Sequence, residues 1–204
     1  MNETDSLTRA LAQDEETTLN RLRERLADRA GDLVEIAHRT VDSPVGALLL
    51  ASSPRGLVRV AFASENTDLV LDALAQQISP RVLAAPRRLD PVARELDEYF
   101  AGRRHTFEVT VDLQLVRGYQ REVLDHLRRT AYGQRVSYGE LARTTSSPRA
   151  VRAVGTACAT NPVPIVVPCH RVVRSDGTPG RYRGGAEAKL TLLDLEQRRS
   201  ADRS

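Results

Sequence analysis

The chain is poor in the residues that build disulfide frameworks and metal sites. Its 204 residues include only two cysteines, Cys158 and Cys169, and four histidines. Two cysteines allow one disulfide at most, and a reducing compartment would keep both as thiols. Because the cysteines and histidines follow no recognisable ligand spacing, we expect no structural zinc. We also expect no other metal and no cofactor.

Long apolar runs are also missing. No stretch is long enough to cross a membrane, and residues 1–30 lack the apolar core of a secretory signal. We therefore expect a cytoplasmic protein. Apolar residues make up 41% of the chain and charged residues 28%, an ordinary balance for a globular protein with one large or two small domains.

Charge is unevenly distributed, and lysine is almost absent. Only Lys189 among the 30 basic residues is a lysine. Residues 116–204 carry 16 basic and 8 acidic residues, a balance of +8, whereas residues 1–115 carry 14 and 19, a balance of −5. A basic half on a near-neutral chain favours a polyanion partner for that half. A solvated, arginine-rich surface is the alternative.

Apolar periodicity divides the chain into four parts. Residues 1–31 are mostly charged, with three leucines at helical spacing, which predicts an amphipathic helix or a frayed arm. Residues 32–115 are predicted to form a small mixed α/β domain of antiparallel hairpins with flanking helices. Its strands are expected at 34–41, 46–51 and 57–62, and its helices at 66–78 and 90–100. Residues 116–198 are expected to form a second, helical domain, and 199–204 a tail.

The second domain contains a helix-turn-helix pattern, preceded by a helix predicted over 119–130. Ser137 and Glu140 form a capping box for a helix that runs to about residue 143. A polar turn over 144–147 leads to Pro148 and a second helix that continues to about residue 159. Two short helices joined by a short turn are typical of DNA-binding domains.

The second of these helices has two different sides. The apolar side, which we interpret as core, consists of Val151, Val154 and Cys158. The other side is a stripe of small residues with basic and polar borders, formed by Ala150, Ala153, Ala157, Arg149, Arg152 and Thr156. Such a stripe lets the backbone approach DNA while arginines reach phosphates or enter the stack. A close helix–helix contact is the alternative.

A cysteine with two basic neighbours follows this helix. The stiff apolar stretch 161–168 leads to Cys169, His170 and Arg171. A thiol is a good nucleophile only as the thiolate and ordinarily ionises near pKa ~8.5, so a reactive cysteine needs a nearby cation or base. Neighbouring side chains of an extended segment point to opposite sides, so we expect His170 to act on Cys169 through a water or a turned backbone. A buried, inert cysteine is the alternative.

These residues resemble a known family. Residues 168–173 (PCHRVV) are similar to the acceptor-site motif of the O6-alkylguanine-DNA alkyltransferases, or methylated-DNA-protein-cysteine methyltransferases, which are consumed as they repair alkylated guanine. Residues 136–142 (VSYGELA), 152–155 (RAVG) and 161–162 (NP) follow the family pattern in order and spacing. Downstream matches are Gly177, Gly180, Tyr182, Gly184, Gly185, Lys189 and Glu196. The resemblance is close over 119–196 and weak before it, and it is far more specific than a lone motif.

The resemblance implies an α/β (α+β) protein with a C-terminal winged helix-turn-helix-like catalytic domain. Its function would be DNA repair by direct, irreversible, stoichiometric transfer of an alkyl group to Cys169 from O6-alkylguanine, with O4-alkylthymine as a second candidate lesion. The target lies inside the stacked duplex, so the base must be flipped out. The partner would be double-stranded DNA, bound by its minor groove. We expect a monomer in solution and leave cooperative assembly on DNA open.

Catalytic roles follow from the matched positions. By resemblance Cys169 is the acceptor, His170 takes the thiol proton through a water, and Glu196 orients His170. Tyr138 would lie against the rotating nucleotide and donate a proton toward the leaving guanine. We expect Asn161 to pin the turn before the acceptor strand rather than to contact substrate. The alternatives are a solvated carboxylate for Glu196 and a buried helix-start aromatic for Tyr138.

DNA and pocket roles follow in the same way. Arg152 would fill the gap left by the flipped base, and its neighbours on that helix, Ala150, Ala153, Arg149 and Thr156, would contact DNA. Pro164 and Tyr182 would line the pocket for the alkyl group, and Arg183 would lie at its rim. Lys189 would supply a flexible ammonium group to the same pocket. Turns at 176–177 and 179–180 indicate a wing-like segment.

Three residues depart from the family pattern, and two other functions stay open. Leu124 stands where an aromatic is usual, and Arg174 and Arg183 add unusual charge. A lesion sensor that flips bases without transfer is one alternative, although the presence of Cys169 argues against it. An unrelated thiol hydrolase is the other, disfavoured because no glycine-rich oxyanion loop or separate catalytic histidine is evident.

Overall fold

The computed structural model describes residues 34–201, together with residues 18, 19, 21 and 22. The amphipathic helix or arm predicted over 1–31 falls almost wholly outside the described residues, as does most of the tail. Within the described ranges, no helix combines the length and the apolar character that a membrane crossing requires.

The N-terminal domain is built on a four-stranded mixed sheet. Its strands are β1 (Ile36–Val41), β2 (Leu48–Ser53), β3 (Gly56–Phe62) and β4 (Val82–Ala84), in the order β3-β2-β1-β4. The strands β1, β2 and β3 form the predicted antiparallel hairpins. The strand β4 pairs parallel with β1 and was not predicted. It has only three half-buried residues, too few to show a strand period.

Two helices cover this sheet, and both begin where the sequence indicated. In α1 (Thr67–Gln77) the Asn66 side chain accepts a hydrogen bond from Leu69 N at 3.2 Å. A short 3-10 turn (Pro86–Leu89) then leads into α2 (Asp90–Phe100), which has proline in its first turn. The apolar stripe of α2 ends at Tyr99, whose side chain is fully buried. Through this stripe, α2 packs against the hydrophobic core.

The C-terminal domain is mainly helical. Its elements are α3 (Gly118–Leu127), β5 (Val136–Ser137), α4 (Tyr138–Arg143), α5 (Val151–Ala159), a 3-10 turn (Cys169–Arg171), β6 (Val172–Val173) and α6 (Gly185–Ala201). The predicted capping box is confirmed, since Ser137 Oγ accepts from Glu140 N at 3.1 Å and Glu140 accepts from Ser137 N at 2.7 Å. The short strands β5 and β6 pair in parallel. Leu124, on α3, is fully buried.

The prediction for the sides of α5 is partly wrong. Val154 and Cys158 are buried as expected, but Val151 is 41% exposed and Ala157 only 2% exposed. The helix starts at Val151 rather than at Pro148 and packs against both α3 and α4. Its buried side therefore passes through positions 154, 157 and 158, the i, i+3, i+4 spacing of a helix face. Ala157 belongs to the core and not to the outer stripe.

The two domains share one core. The largest buried cluster joins residues of β2, β3 and α2 to residues of α3, α5 and the segment that leads to Cys169. At the edge of the sheet, Val60 N in β3 donates a hydrogen bond to the Pro162 carbonyl at 2.9 Å. The sheet edge thus lies directly against the segment that carries the cysteine.

Gly56 gives a test of how β3 is held. Its φ is 136°, and a Cβ there would lie 2.8 Å from the carbonyl carbon of Thr110. We expect Gly56→Ala to lower the free energy of unfolding by about 3 kcal/mol or more. Gly46, with φ of 90° and open space around it, is the matched control, and Gly46→Ala should cost about 1 kcal/mol. If urea denaturation showed the same loss of unfolding free energy for Gly56→Ala and Gly46→Ala, the close contact of Gly56 with Thr110 would be contradicted.

Candidate active site

Residues 161–171 form a compact turn and not the extended acceptor strand that the sequence predicted. Asn161 Oδ1 accepts from Val163 N at 3.0 Å, and its Nδ2 donates to the Val167 carbonyl at 2.9 Å. Inside this turn the buried Ile165 has a φ of 73°, which is rare for a β-branched residue. The asparagine amide satisfies backbone groups that a strand would have paired with a neighbour. It pins the turn, as expected.

The thiol of Cys169 is nearly sealed, since the residue is 2% exposed. Burial raises the pKa of Cys169 to about 11, although a hydrogen bond from Asn161 and the charge of Lys189 pull the pKa down. The Asn161 Nδ2 lies 3.2 Å from Sγ, a contact that the sequence did not predict. At neutral pH the resting cysteine is therefore protonated, and forming the thiolate requires a base.

His170 and Glu196 lie together in the interior. His170 Nε2 is 2.9 Å from Glu196 Oε1, and both residues are at most 1% exposed. Burial would raise the pKa of Glu196, but bonding and charge from His170 and Arg171 hold that pKa far below its ordinary value. Burial lowers the pKa of His170, against the opposing effect of Glu196. The pair at neutral pH is an ionised carboxylate and a neutral imidazole.

This ionisation state fixes the tautomer of His170. An ionised carboxylate can only accept hydrogen bonds, so Nε2 carries the hydrogen and Nδ1 is the basic nitrogen. Nδ1 is buried and has no hydrogen-bond partner among the described residues. No hydrogen bond within the described part of the chain joins it to Cys169, so proton transfer through a water remains our prediction. The extended segment was wrong, because Cys169 and His170 belong to a 3-10 turn, which is the turned backbone that the sequence had left open as the alternative.

Glu196 has further donors that the sequence did not reveal. Tyr99 Oη donates to Oε1 at 2.8 Å, and Gly133 N donates to Oε2 at 2.9 Å. Arg171 donates through Nε and Nη2, both at 2.9 Å. Tyr99 and Gly133 lie 97 and 63 residues from Glu196 in the chain. No local pattern could have joined them to it.

Lys189 and Tyr182 support the site from two sides. The fully buried Lys189 donates from Nζ to the Val172 carbonyl at 2.6 Å, and burial lowers its pKa. It holds the backbone just after the acceptor. The Tyr182 ring meets His170 edge-on, with ring centroids 6.4 Å apart. Pro164 is buried within the turn and bridges to Val167.

Tyr138, the first residue of α4, is half-buried. Burial first, then the nearby Cys158 and Cys169, raise the pKa of Tyr138 to about 12. Its hydroxyl therefore keeps its hydrogen at neutral pH and can donate it. A Cβ at Gly180 would lie 2.8 Å from the Tyr138 ring, so only glycine leaves room for it. Gly177 has the φ of 81° that its predicted turn needs.

The outer surface of α5 is basic and polar. Four of the predicted DNA contacts are exposed, namely Arg149, Arg152, Ala153 and Thr156, and Ala150 is half-buried. Arg183 does not share this surface, because its side chain faces the N-terminal domain. Its Nε lies 3.4 Å from Glu65 Oε2 of the N-terminal domain. The structure thus brings Cys169, His170, Glu196 and Asn161 into one buried cluster, and it places Arg152 of α5 and Arg149, just before this helix, on the surface.

Two family models match nearly the whole described chain. Residues 36–113 match "6-O-methylguanine DNA methyltransferase, ribonuclease-like domain", and residues 118–198 match "6-O-methylguanine DNA methyltransferase, DNA binding domain". The mixed-sheet domain, the helical DNA-binding domain and the buried cysteine, together with these matches, define a methylated-DNA–protein-cysteine methyltransferase. The chain belongs to the O6-methylguanine DNA methyltransferase family.

Named relatives agree with this assignment. The methylated-DNA–protein-cysteine methyltransferase of Mycolicibacterium paratuberculosis is 38% identical over 167 residues, covering 81% of this chain and 94% of that one. The inducible enzyme of Bacillus subtilis is 38% identical, covering 75% and 86%. The crystal structure of Mycobacterium tuberculosis OGT in complex with DNA aligns with a TM-score of 0.70 at 34% identity, covering 80% and 94%.

Glu196 gives a test of the buried network. We expect Glu196→Gln to lower the free energy of unfolding by about 3–5 kcal/mol at pH 7, because the buried Arg171 loses its ionised partner. Since the folded-state pKa of Glu196 is lowered, this stabilisation is complete above the unfolded value of 4.5 and fades as pH falls further. The exposed Glu187 on the same helix is the control. Equal losses for Glu187→Gln and Glu196→Gln in urea denaturation would contradict the network.

Proposed function

We propose that this protein repairs DNA by moving the alkyl group of O6-alkylguanine irreversibly onto Cys169. The observation that carries the proposal is the buried cluster in which Cys169 lies beside Asn161, and a neutral His170 is held by an ionised Glu196. This is the arrangement of nucleophile, base and orienting group that activates a thiol. The family assignment and the relatives' names support the same reaction.

The chemical step is an in-line displacement. The proton of the Cys169 thiol passes through a water to His170 Nδ1, and the thiolate attacks the alkyl carbon. A carbon–sulfur bond forms as the bond from carbon to O6 breaks, and its electron pair leaves with guanine. The Tyr138 hydroxyl donates a proton toward that leaving group and regains one from solvent, to which His170 releases the proton it accepted. A thioether has no carbonyl for water to attack, so each protein molecule acts once.

Access to the lesion requires a flipped base. The alkylated oxygen lies at the pairing edge inside the duplex, so a buried thiol cannot reach it in stacked DNA. We place α5 in the minor groove, with Arg152 entering the stack and Arg149, Ala150, Ala153 and Thr156 against the backbone. The exposure of these side chains and the basic balance of residues 116–204 support this docking. The protein is proposed to act as a monomer.

The reaction itself can be read by mass. After one equivalent of an O6-methylguanine duplex, we expect one added methyl on the Cys169 peptide and none on Cys158, whose pKa burial raises. Cys169→Ala should take up no methyl and still bind the duplex. Binding by an unmodified wild-type protein would instead indicate a lesion sensor. Repeated turnover of an ester or amide would indicate a thiol hydrolase.

The role of Arg152 is tested by comparing two substrates. Base flipping costs a few kcal/mol and is needed only in duplex DNA. We therefore expect Arg152→Ala to slow transfer from a duplex by about 10- to 100-fold, while transfer from free O6-benzylguanine changes little. Arg128→Ala, an exposed arginine at the end of α3, controls for lost charge. Equal losses on both substrates would count against insertion into the stack.

A further inference from the structure

Three consecutive residues of the loop before α6 pack on the end of β3. The Tyr182 ring meets the Phe62 ring edge-on, with centroids 5.5 Å apart. Gly184 lies so close that a Cβ would be 2.6 Å from Cε1 of Phe62. Between them, Arg183 reaches Glu65 at 3.4 Å. The N-terminal domain therefore holds the loop that carries one wall of the active site.

Glu65 is itself fixed at the end of β3. Its Oε1 accepts from the backbone N of Phe62 at 3.0 Å, and its Oε2 pairs with Arg59 of the same strand. The side chains of Glu65 and Arg183 are 17% and 26% exposed, so water screens their ion pair less than it would screen one at the surface. Glu65 thus connects a fixed strand end to a loop that has no regular structure of its own.

We propose that Glu65 is a positioning residue for alkyl transfer, which acts by holding Arg183 and, next to it, the Tyr182 ring against His170. The inference rests on the proposed function, because it assigns Tyr182 to the pocket wall. Arg183 is one of the positions where the sequence departs from the family pattern. The strand β3 also bonds Pro162 through Val60, so this one strand braces both segments that surround Cys169.

Charge and position predict opposite effects when Glu65 is neutralised. Burial raises the pKa of Cys169, and the Arg183 cation is one of the smaller effects that oppose this rise. Removing the carboxylate beside Arg183 leaves its positive charge less compensated, which would favour the thiolate and speed transfer. Losing the position of Tyr182 would slow transfer instead, because displacements of about 1 Å reduce rates by up to 100-fold. The sign of the change therefore separates the two effects.

The experiment is single-turnover transfer from free O6-benzylguanine to Glu65→Gln, with the final alkyl content of the protein measured by mass. We expect the rate constant of transfer at saturating O6-benzylguanine to fall about tenfold. The final number of alkyl groups per protein molecule should equal that of the wild type. Arg183→Met should fall by a similar factor, and the double variant should fall no further, because both changes break one contact. Arg39→Met, which breaks the ion pair of Arg39 with Asp90 elsewhere in the N-terminal domain and leaves the pair of Glu65 with Arg183 in place, is the control and should transfer at the wild-type rate.

Three outcomes would overturn the inference. A rate constant for Glu65→Gln that is unchanged or higher would exclude positioning. A normal rate constant with a lowered final alkyl content would show that Glu65 only stabilises the fold. Independent, multiplicative losses in the double variant would show that Glu65 does not act through Arg183. If the wild-type protein also takes up no methyl group from an O6-methylguanine duplex, the proposed function fails, and that result is separate from all three.

Discussion

The Glu196 carboxylate is the buried charge on which the rest of the site depends. An ion held in a protein interior is costly unless donors surround it. Here the donors come from Tyr99 of the N-terminal domain, from the backbone of Gly133, and from His170 and Arg171 beside the acceptor. One carboxylate on α6 therefore joins three other segments of the chain. The same contacts that stabilise the ion determine how the two domains meet around Cys169.

This arrangement also determines the resting state of the chemistry. The Cys169 thiol is sealed and protonated, with a pKa of about 11, and the nearby imidazole is neutral with a basic Nδ1. A protein that can react only once gains from such a state, because a protonated thiol resists oxidation and stray alkylation. Ionisation is then coupled to a base already in place. The ionised Glu196 would stabilise the imidazolium that forms when His170 accepts the proton.

Local signals in the sequence predicted most of the helices. The capping box at Ser137 and Glu140 fixed the start of α4, and the period of apolar residues predicted α2 from 90 to 100. The parallel strand β4 could not be predicted, since three half-buried residues show no period. The prediction of which side of α5 is buried was partly wrong, because the packing of α5 against α3 and α4 decides which alanine is buried.

Long-range contacts explain the remaining differences at the site. Motif resemblance pointed to Cys169, His170, Glu196 and Asn161, but the donors Tyr99 and Gly133 are joined to Glu196 only by the fold. The extended strand expected before Cys169 is a turn, because the Asn161 amide takes over backbone groups in it. That same amide reaches the sulfur, a contact that depends on the turn and is invisible in the sequence.

The central claim is that His170, kept neutral by its burial and oriented by Glu196, removes the proton of Cys169. It is tested most directly by the pH dependence of the single-turnover rate of transfer from free O6-benzylguanine. Since burial lowers the pKa of His170 below 6.5, the account predicts a constant rate from about pH 7 to about pH 9 and a decrease only at more acidic pH. A rate that instead rises about tenfold per pH unit toward the pKa of the thiol would show that hydroxide, and not His170, removes the proton.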